Sequence, residues 1–235
     1  MFKTTIPIYA ICIILSLIVG LIGIYINLKK SDLKKEESLG LIIYIILGTI
    51  YGAKLFTIIT NLDKGVIKFQ EAGLSSYGAV IGIILMMILF GIQFKKKISD
   101  LLYIVVPVIP LMYAIGKIGC FLVGCCYGVE YSGPFNVVYN YSLDAPKGIH
   151  LFPIQLVETI VFTIIFLIIN KIDKKNKRIY LTFIICAISK FILDFLRFRE
   201  ISKILSINQI VSIIFLILGI ICYNKDKNRG SEENE

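Results

Sequence analysis

The sequence predicts an all-α polytopic membrane protein of about seven transmembrane helices, with the N-terminus outside and the C-terminus cytoplasmic. Three observations lead there. The 235 residues are 57% hydrophobic and 17% charged, without tryptophan, at a mean hydropathy of +0.84, whereas a soluble domain carries about 25% charge. Apolar windows of roughly 20 residues, the length needed to cross the hydrocarbon core, recur along the chain. The basic residues between them are sorted by side, as they are when Lys and Arg stay cytoplasmic.

The windows fall at 6–28, 39–60, 74–94, 101–122, 152–170, 179–196 and 205–223. The first is too long for the apolar region of a signal peptide and its positive charges follow it, so it is expected to remain as a helix. The sixth has the weakest pattern, because Lys190 and Asp194 lie inside it. The loops after the first, third and fifth windows and the tail carry 15 basic residues: Lys29, Lys30, Lys34 and Lys35; Lys95, Lys96 and Lys97; Lys171, Lys174, Lys175, Lys177 and Arg178; and Lys225, Lys227 and Arg229. The opposite side carries 7, namely Lys3, Lys64, Lys68, Lys147, Arg197, Arg199 and Lys203. An odd number of spans fits this sorting. Residues 1–224 are expected to form a single transmembrane domain, and 225–235 a short polar cytoplasmic tail. The net charge of +9 follows from the same sorting and gives no reason to expect nucleic acid, since no basic run is interleaved with stacking aromatics.

Charges inside the windows are the candidate functional groups, because each costs several kcal/mol at mid-membrane and calls for a partner. Lys54 has no acidic residue one turn away, so its partner is expected from another helix, a lipid or water. Lys117 near the outer end of the fourth window either reaches the interface or holds an anion. Lys190 and Asp194 are spaced i,i+4 and can pair on one helix face. Lipid phosphate is an anion that such lysines could share. Gly116, Gly119 and Gly124 beside Lys117 would let a headgroup approach the backbone, or equally let helices pack closely.

Of the six cysteines, Cys12, Cys186 and Cys222 lie in windows as small apolar residues do. Cys120, Cys125 and Cys126 form a C-x4-C-C cluster with three open readings: a thiolate metal site lacking the paired C-x2-C spacing of structural zinc, a nucleophile or carrier beside Lys117, or small residues with a redox-labile pair. No metal and no cofactor is predicted.

The ordered series of Tyr9 in IPIYAI, Lys54 in GAKL, GLSSYGAVIG at 73–82, GKIGCFLVGCCYG at 116–128, FPIQLVE at 152–158 and KFILDFLR at 190–197 resembles the prolipoprotein diacylglyceryl transferase family. The resemblance runs from the first window to the sixth. It implies seven spans with an outside N-terminus, and transfer of a diacylglyceryl group from phosphatidylglycerol to the lipobox cysteine of a secreted precursor at the outer leaflet of a bacterial cytoplasmic membrane. Tyr9, Gln155, Glu158 and Arg197 match the family pattern. Lys54 and Lys117 stand where the family has arginines, and Lys190 with Asp194 where it has arginine and glutamate, so charge is kept while the bidentate grip of a guanidinium is lost. Tyr77 and Phe152 stand in place of histidines, Cys120 in place of asparagine and Cys125 in place of glutamate. His150, near Phe152, is a candidate to replace one of those histidines.

The chemistry implied is displacement at a glycerol carbon. Lys117 and Lys190 are assigned to the departing phosphate, with Lys54, Gly116, Gly119, Gly124, Gln155 and Arg197 in lipid binding. Tyr9 and Tyr77 would position the substrates, Asp194 and Glu158 would orient the lysines, and Cys120 and Cys125 would line the place of transfer. The partners implied are phosphatidylglycerol or another anionic phospholipid and a lipobox precursor. The alternatives are a family member with another acceptor, or a non-catalytic protein that binds or moves phospholipid.

Overall fold

The computed structural model describes residues 2–62, 65, 67–198 and 205–232, with side chains described within 8–227. Lys64, Arg199 and Lys203, counted above among the outer-side basic residues, lie outside the described residues. Each apolar window is mainly α-helical. The helices are α1 (Phe2–Leu28), α2 (Lys35–Thr60), α3 (Ser76–Gln93), α4 (Ile98–Val105), α5 (Ile109–Val123), α6 (Ile154–Asn170), α7 (Lys175–Leu193) and α8 (Ile207–Glu232). Two short strands, β1 (Val137–Val138) and β2 (His150–Leu151), pair antiparallel in the loop between α5 and α6.

Among the described residues, six stretches are long and apolar enough to cross a membrane: Ile8–Leu28, Lys35–Thr60, Ser76–Gln93, Ile98–Val123, Lys175–Leu196 and Ile207–Lys227. The expected fifth span is the shorter apolar helix Ile154–Asn170, at 17 residues. The expected fourth is broken. Pro107 lacks an N–H and cannot continue the α4 hydrogen-bond ladder, so residues Val106–Val108 turn as a 3-10 helix, and α5 starts afresh with Pro110 in its first turn. The eighth helix continues through the polar tail as far as Glu232.

The described chain forms two compact units, residues 1–22 with 107–235, and residues 23–106. In the second unit α2 and α3 meet through glycines. A Cβ on Gly48 would stand 2.6 Å from the Gly82 carbonyl oxygen, and one on Gly52, Gly78 or Gly82 would collide with the facing backbone. Without a hydrophobic force between helices in lipid, such close backbone approach is what holds a pair together. Asn27 Nδ2 donates to the Ile104 carbonyl at 2.8 Å in the same unit.

In the first unit α5, α6, α7 and α8 pack in chain order. Ala114, Ile154, Phe162, Ile165, Ile169 and Leu193 form its buried core. The Tyr113 and Phe162 rings pack 4.4 Å apart, and the Phe183 and Phe215 rings stack at 5.9 Å between α7 and α8. The N-terminal part of α1 lies on α5, where Ser16 Oγ donates to the Met112 carbonyl at 2.7 Å. A Cβ on Gly119 would come within 2.7 Å of Cys12 Cβ.

Candidate functional site

The end of α5 sets the site. Gly124 adopts φ +68°, the left-handed conformation that glycine takes without steric cost. Its N–H reaches the Phe121 carbonyl at 3.3 Å, and the Cys125 N–H reaches the Cys120 carbonyl at 3.1 Å. These are the two bonds of a Schellman cap, which also brings the side chains of its third-last and second-following residues together. Here those residues are Cys120 and Cys125. Gln155, buried on α6, fixes the exit by donating from Nε2 to the Cys125 carbonyl at 2.9 Å.

The chain then runs beneath the small β-hairpin. Val129 N–H donates to the Leu196 carbonyl at 3.1 Å, Phe198 N–H to the Tyr127 carbonyl at 3.1 Å, and Phe152 N–H to the Val129 carbonyl at 2.9 Å. Gly128 bridges to Arg197, and its missing side chain makes room for the Phe152 and Leu196 carbonyls. Backbone pairing of this kind holds Arg197 next to the ends of α5 and α6.

Beneath it, three helices place one carboxylate between two ammonium groups. Lys117 on α5, Glu158 on α6 and Lys190 on α7 are all buried. Lys117 Nζ stands 2.6 Å from Glu158 Oε2, and Lys190 Nζ pairs with Glu158 Oε1. Tyr113, one turn before Lys117 on the same face of α5, donates its hydroxyl to Glu158 Oε1 at 2.7 Å and accepts from Lys190 Nζ at 2.5 Å. Its ring lies 5.2 Å from Lys117 Nζ and 5.0 Å from Lys190 Nζ, within cation–π range. Two positive charges and one negative leave this buried group at +1, and Arg197 adds another positive charge at its edge. Burial works against the Arg197 charge, yet Cys126, Tyr113, Glu158 and Asp194 hold its guanidinium above the ordinary range.

The i,i+4 expectation for Lys190 and Asp194 gives way to a different pairing. Lys190 finds its carboxylate on α6, because the lysine points into the bundle. Asp194 begins the 3-10 turn after α7 and accepts from Ser206 Oγ at 2.5 Å and Asn208 Nδ2 at 3.2 Å. Tyr9 reaches the same neighbourhood, its Cδ2 being 3.5 Å from where a Cβ on Gly119 would stand. Gly116 has only Ile13 Cδ1 near such a position, at 4.0 Å.

Lys54 and Tyr77 belong to the second unit. The expectation that Lys54 needs another helix, lipid or water is corrected. Its ammonium donates to the backbone carbonyls of Phe69 at 2.8 Å and Gln70 at 3.3 Å, over the Phe69 ring. Six residues from the end of α2, a lysine stem is long enough to reach the loop beyond it. Tyr77 sits in the first turn of α3. His150 is exposed in β2 with Nδ1 2.6 Å from Asn136 Oδ1.

All six cysteines are free thiols. The Sγ atoms of Cys120, Cys125 and Cys126 lie within 4.8 Å of one another. Hydrogen bonds from Cys120 and Cys125, helped by Lys117 and Arg197, hold the Cys126 thiol well below the ordinary thiol range, while the same bonds push Cys125 up. Burial, with Cys126 opposite, raises the Asp144 carboxyl in the loop above.

Tyr113 and the Ser206–Asn208 pair are site residues that the sequence reading misses, while Cys126 enters it only as the third member of the cysteine cluster. Tyr113 is within reach of such a reading, as an aromatic a turn before a membrane lysine. Ser206 and Asn208 meet Asp194 only in the folded chain.

Residues 1–224 match the family model described as prolipoprotein diacylglyceryl transferase. Among curated proteins, the chain is 31% identical over 232 residues to the phosphatidylglycerol–prolipoprotein diacylglyceryl transferase of Clostridium tetani, covering 94% of this chain and 93% of that protein. It is 33% identical over 203 residues to the second such enzyme of Clostridium perfringens, covering 81% and 79%. A Dehalococcoides mccartyi protein of the same name is 30% identical over 241 residues, covering 96% and 92%.

Proposed function

The chain belongs to the prolipoprotein diacylglyceryl transferase family, and from that membership we infer that it moves a diacylglyceryl group from phosphatidylglycerol to the thiol of a lipobox cysteine. It is a multi-pass membrane enzyme. The compartment that fits is the bacterial cytoplasmic membrane, with the α5–α6 loop on the outer side, where the sparser basic residues fall.

The observation that carries the reading is the buried Lys117–Glu158–Lys190 group with its uncompensated positive charge. In the reaction a sulfur–carbon bond forms at a glycerol carbon as the carbon–oxygen bond to phosphate breaks. The electron pair leaves with glycerol phosphate. A site that already holds excess positive charge stabilises that developing anion without reorganising, which is commonly the largest contribution to catalysis. Glu158 and Tyr113 fix where the two ammonium groups point. Glu158 is also the counterion that offsets part of the cost of two ammonium groups in a region where a lone ammonium is costly. Arg197, tethered to Gly128, is the residue assigned to the headgroup. Tyr9 and Asp194 act as positioning residues. Gly119 and Gly124 serve close packing, against Cys12 and Ser142 respectively, instead of lipid approach; of the three glycines Gly116 alone leaves space beside the α5 backbone, and Gln155 fixes the end of that helix in place. Lipid contact by Lys54 and positioning by Tyr77 rest on the family resemblance.

The experiment is a transfer assay with purified protein in phosphatidylglycerol vesicles and a synthetic lipobox peptide, read by mass spectrometry. A diacylglyceryl adduct on the peptide cysteine, with one glycerol phosphate released per adduct, is the expected result. Vesicles that hold lipid and folded protein yet yield no adduct overturn the reading.

A further inference from the structure

The cysteine cluster has no part in stabilising the departing phosphate, yet three thiols converge there. An ion that holds sulfur at about 2.3 Å in tetrahedral or trigonal geometry sets the sulfurs somewhat under 4 Å apart. The Cys120, Cys125 and Cys126 sulfurs, all within 4.8 Å of one another, need only small side-chain rotations to reach that spacing. The helix cap accounts for Cys120 meeting Cys125. It does not account for Cys126, which joins them through a left-handed backbone at φ +55°, a conformation uncommon for a residue with a Cβ. The frame beneath is fixed by the Gly124 cap and by the Gln155 bond to the Cys125 carbonyl.

We propose that Cys120, Cys125 and Cys126 bind one thiophilic divalent cation of the zinc type, leaving its fourth position open to the incoming acceptor thiol. An all-sulfur donor set excludes magnesium and calcium, which take oxygen ligands, and selects soft or borderline ions. Three protein ligands with a free position is the arrangement of a catalytic zinc site, whereas structural sites are closed by a fourth ligand. A dication with three thiolates has a net charge of −1, which suits a site beside Lys117 and Arg197. Cys125 and Cys126 are only partly buried, so an ion and a thiol have a way in.

This inference rests on the transfer reading. In the step, the acceptor thiol loses its proton to water on binding the cation. Its sulfur forms the bond to the glycerol carbon, the carbon–oxygen bond breaks, and the electron pair leaves with glycerol phosphate beside the lysines. The thioether product carries no charge and is a weak ligand, so it dissociates. A carrier role for Cys120 or Cys125 is chemically disfavoured, since the lipid would then be held in a stable thioether with a poor leaving group.

The test uses full-length protein in detergent, stripped with a chelator and titrated with cobalt(II), whose thiolate charge-transfer absorption reports the ligands directly. The expected result is about one cobalt per chain with a thiolate band, weakened in Cys126→Ser and unchanged in Cys186→Ser. A lipobox peptide should shift the band, whereas its serine analogue should not. Absence of a band in the wild type, or a band indifferent to Cys126→Ser, overturns the site. A band that ignores the thiol peptide overturns the open position. The transfer assay on the same preparation, stripped and then zinc-loaded, judges the reaction separately: an adduct formed at full rate without metal leaves the transferase reading intact and removes the cation from it.

Discussion

Glu158→Gln is the substitution that most directly probes the buried charge group. The carboxylate is 1% exposed, stands 2.6 Å from Lys117 Nζ, and also pairs with Lys190. Glutamine keeps the shape and removes the charge, leaving two ammonium groups in a water-poor site without a counterion. Breaking a buried pair from one side costs about 3–5 kcal/mol, and because one carboxylate here serves two cations the upper half of that range is expected. For a chain of this size each kcal/mol moves the melting temperature by roughly 2–4 °C, so the variant should melt on the order of 10 °C below the wild type in detergent. Glu158→Gln combined with Lys190→Met removes one stranded cation with its partner and should recover part of the loss, a non-additivity characteristic of groups in contact. A single variant melting with the wild type, or a double variant no better than the single one, would refute the claim that this carboxylate compensates both lysines.

Three other outcomes follow from the same geometry. Lys190→Ala should lower transfer on the order of a hundredfold or more while the protein remains in the membrane fraction; full activity would remove Lys190 from the site. Gly124→Ala must place a Cβ at φ +68° and 2.6 Å from Ser142 Cβ, so it should lose about 1–2 kcal/mol from the backbone alone, read as a lower melting temperature. In chelator-treated protein Cys126, whose thiol is held well below the ordinary range by hydrogen bonds from Cys120 and Cys125, should gain less in iodoacetamide alkylation rate between about pH 6 and about pH 8 than an ordinary thiol does. An ordinary thiol would gain more than about 50-fold over that interval, and peptide mapping by mass spectrometry separates the two.

The helical fold is legible because apolar windows are a property of the chain itself. Each window is mainly helical in the structure. What the windows did not reveal was local. The interruption of the fourth needs Pro107 to be read as a break in a ladder, and the β-hairpin at 137–151 has strands too short to leave a period. The site was half legible. A lysine or glutamate in an apolar window announces itself by its desolvation cost, which pointed to Lys117 and Lys190. Its partner does not, because pairing depends on which helix faces lie together. Thus spacing alone offers Asp194 to Lys190, and the family resemblance offers Asp194 and Glu158 together, while the fold pairs Lys190 with Glu158 from 32 residues away. Lys54 looked stranded because backbone carbonyls of a following loop carry no sequence signal.

The most direct test of the central claim is the transfer assay run side by side on wild type and Lys117→Ala in phosphatidylglycerol vesicles. Lys117 stands 2.6 Å from Glu158 and is buried at the end of α5, and the account has it stabilise the departing phosphate. A peptide adduct from the wild type that falls by at least about a hundredfold in the variant, with the variant still folded by its melting transition, is the predicted result. An adduct formed by Lys117→Ala at the wild-type rate would contradict the account.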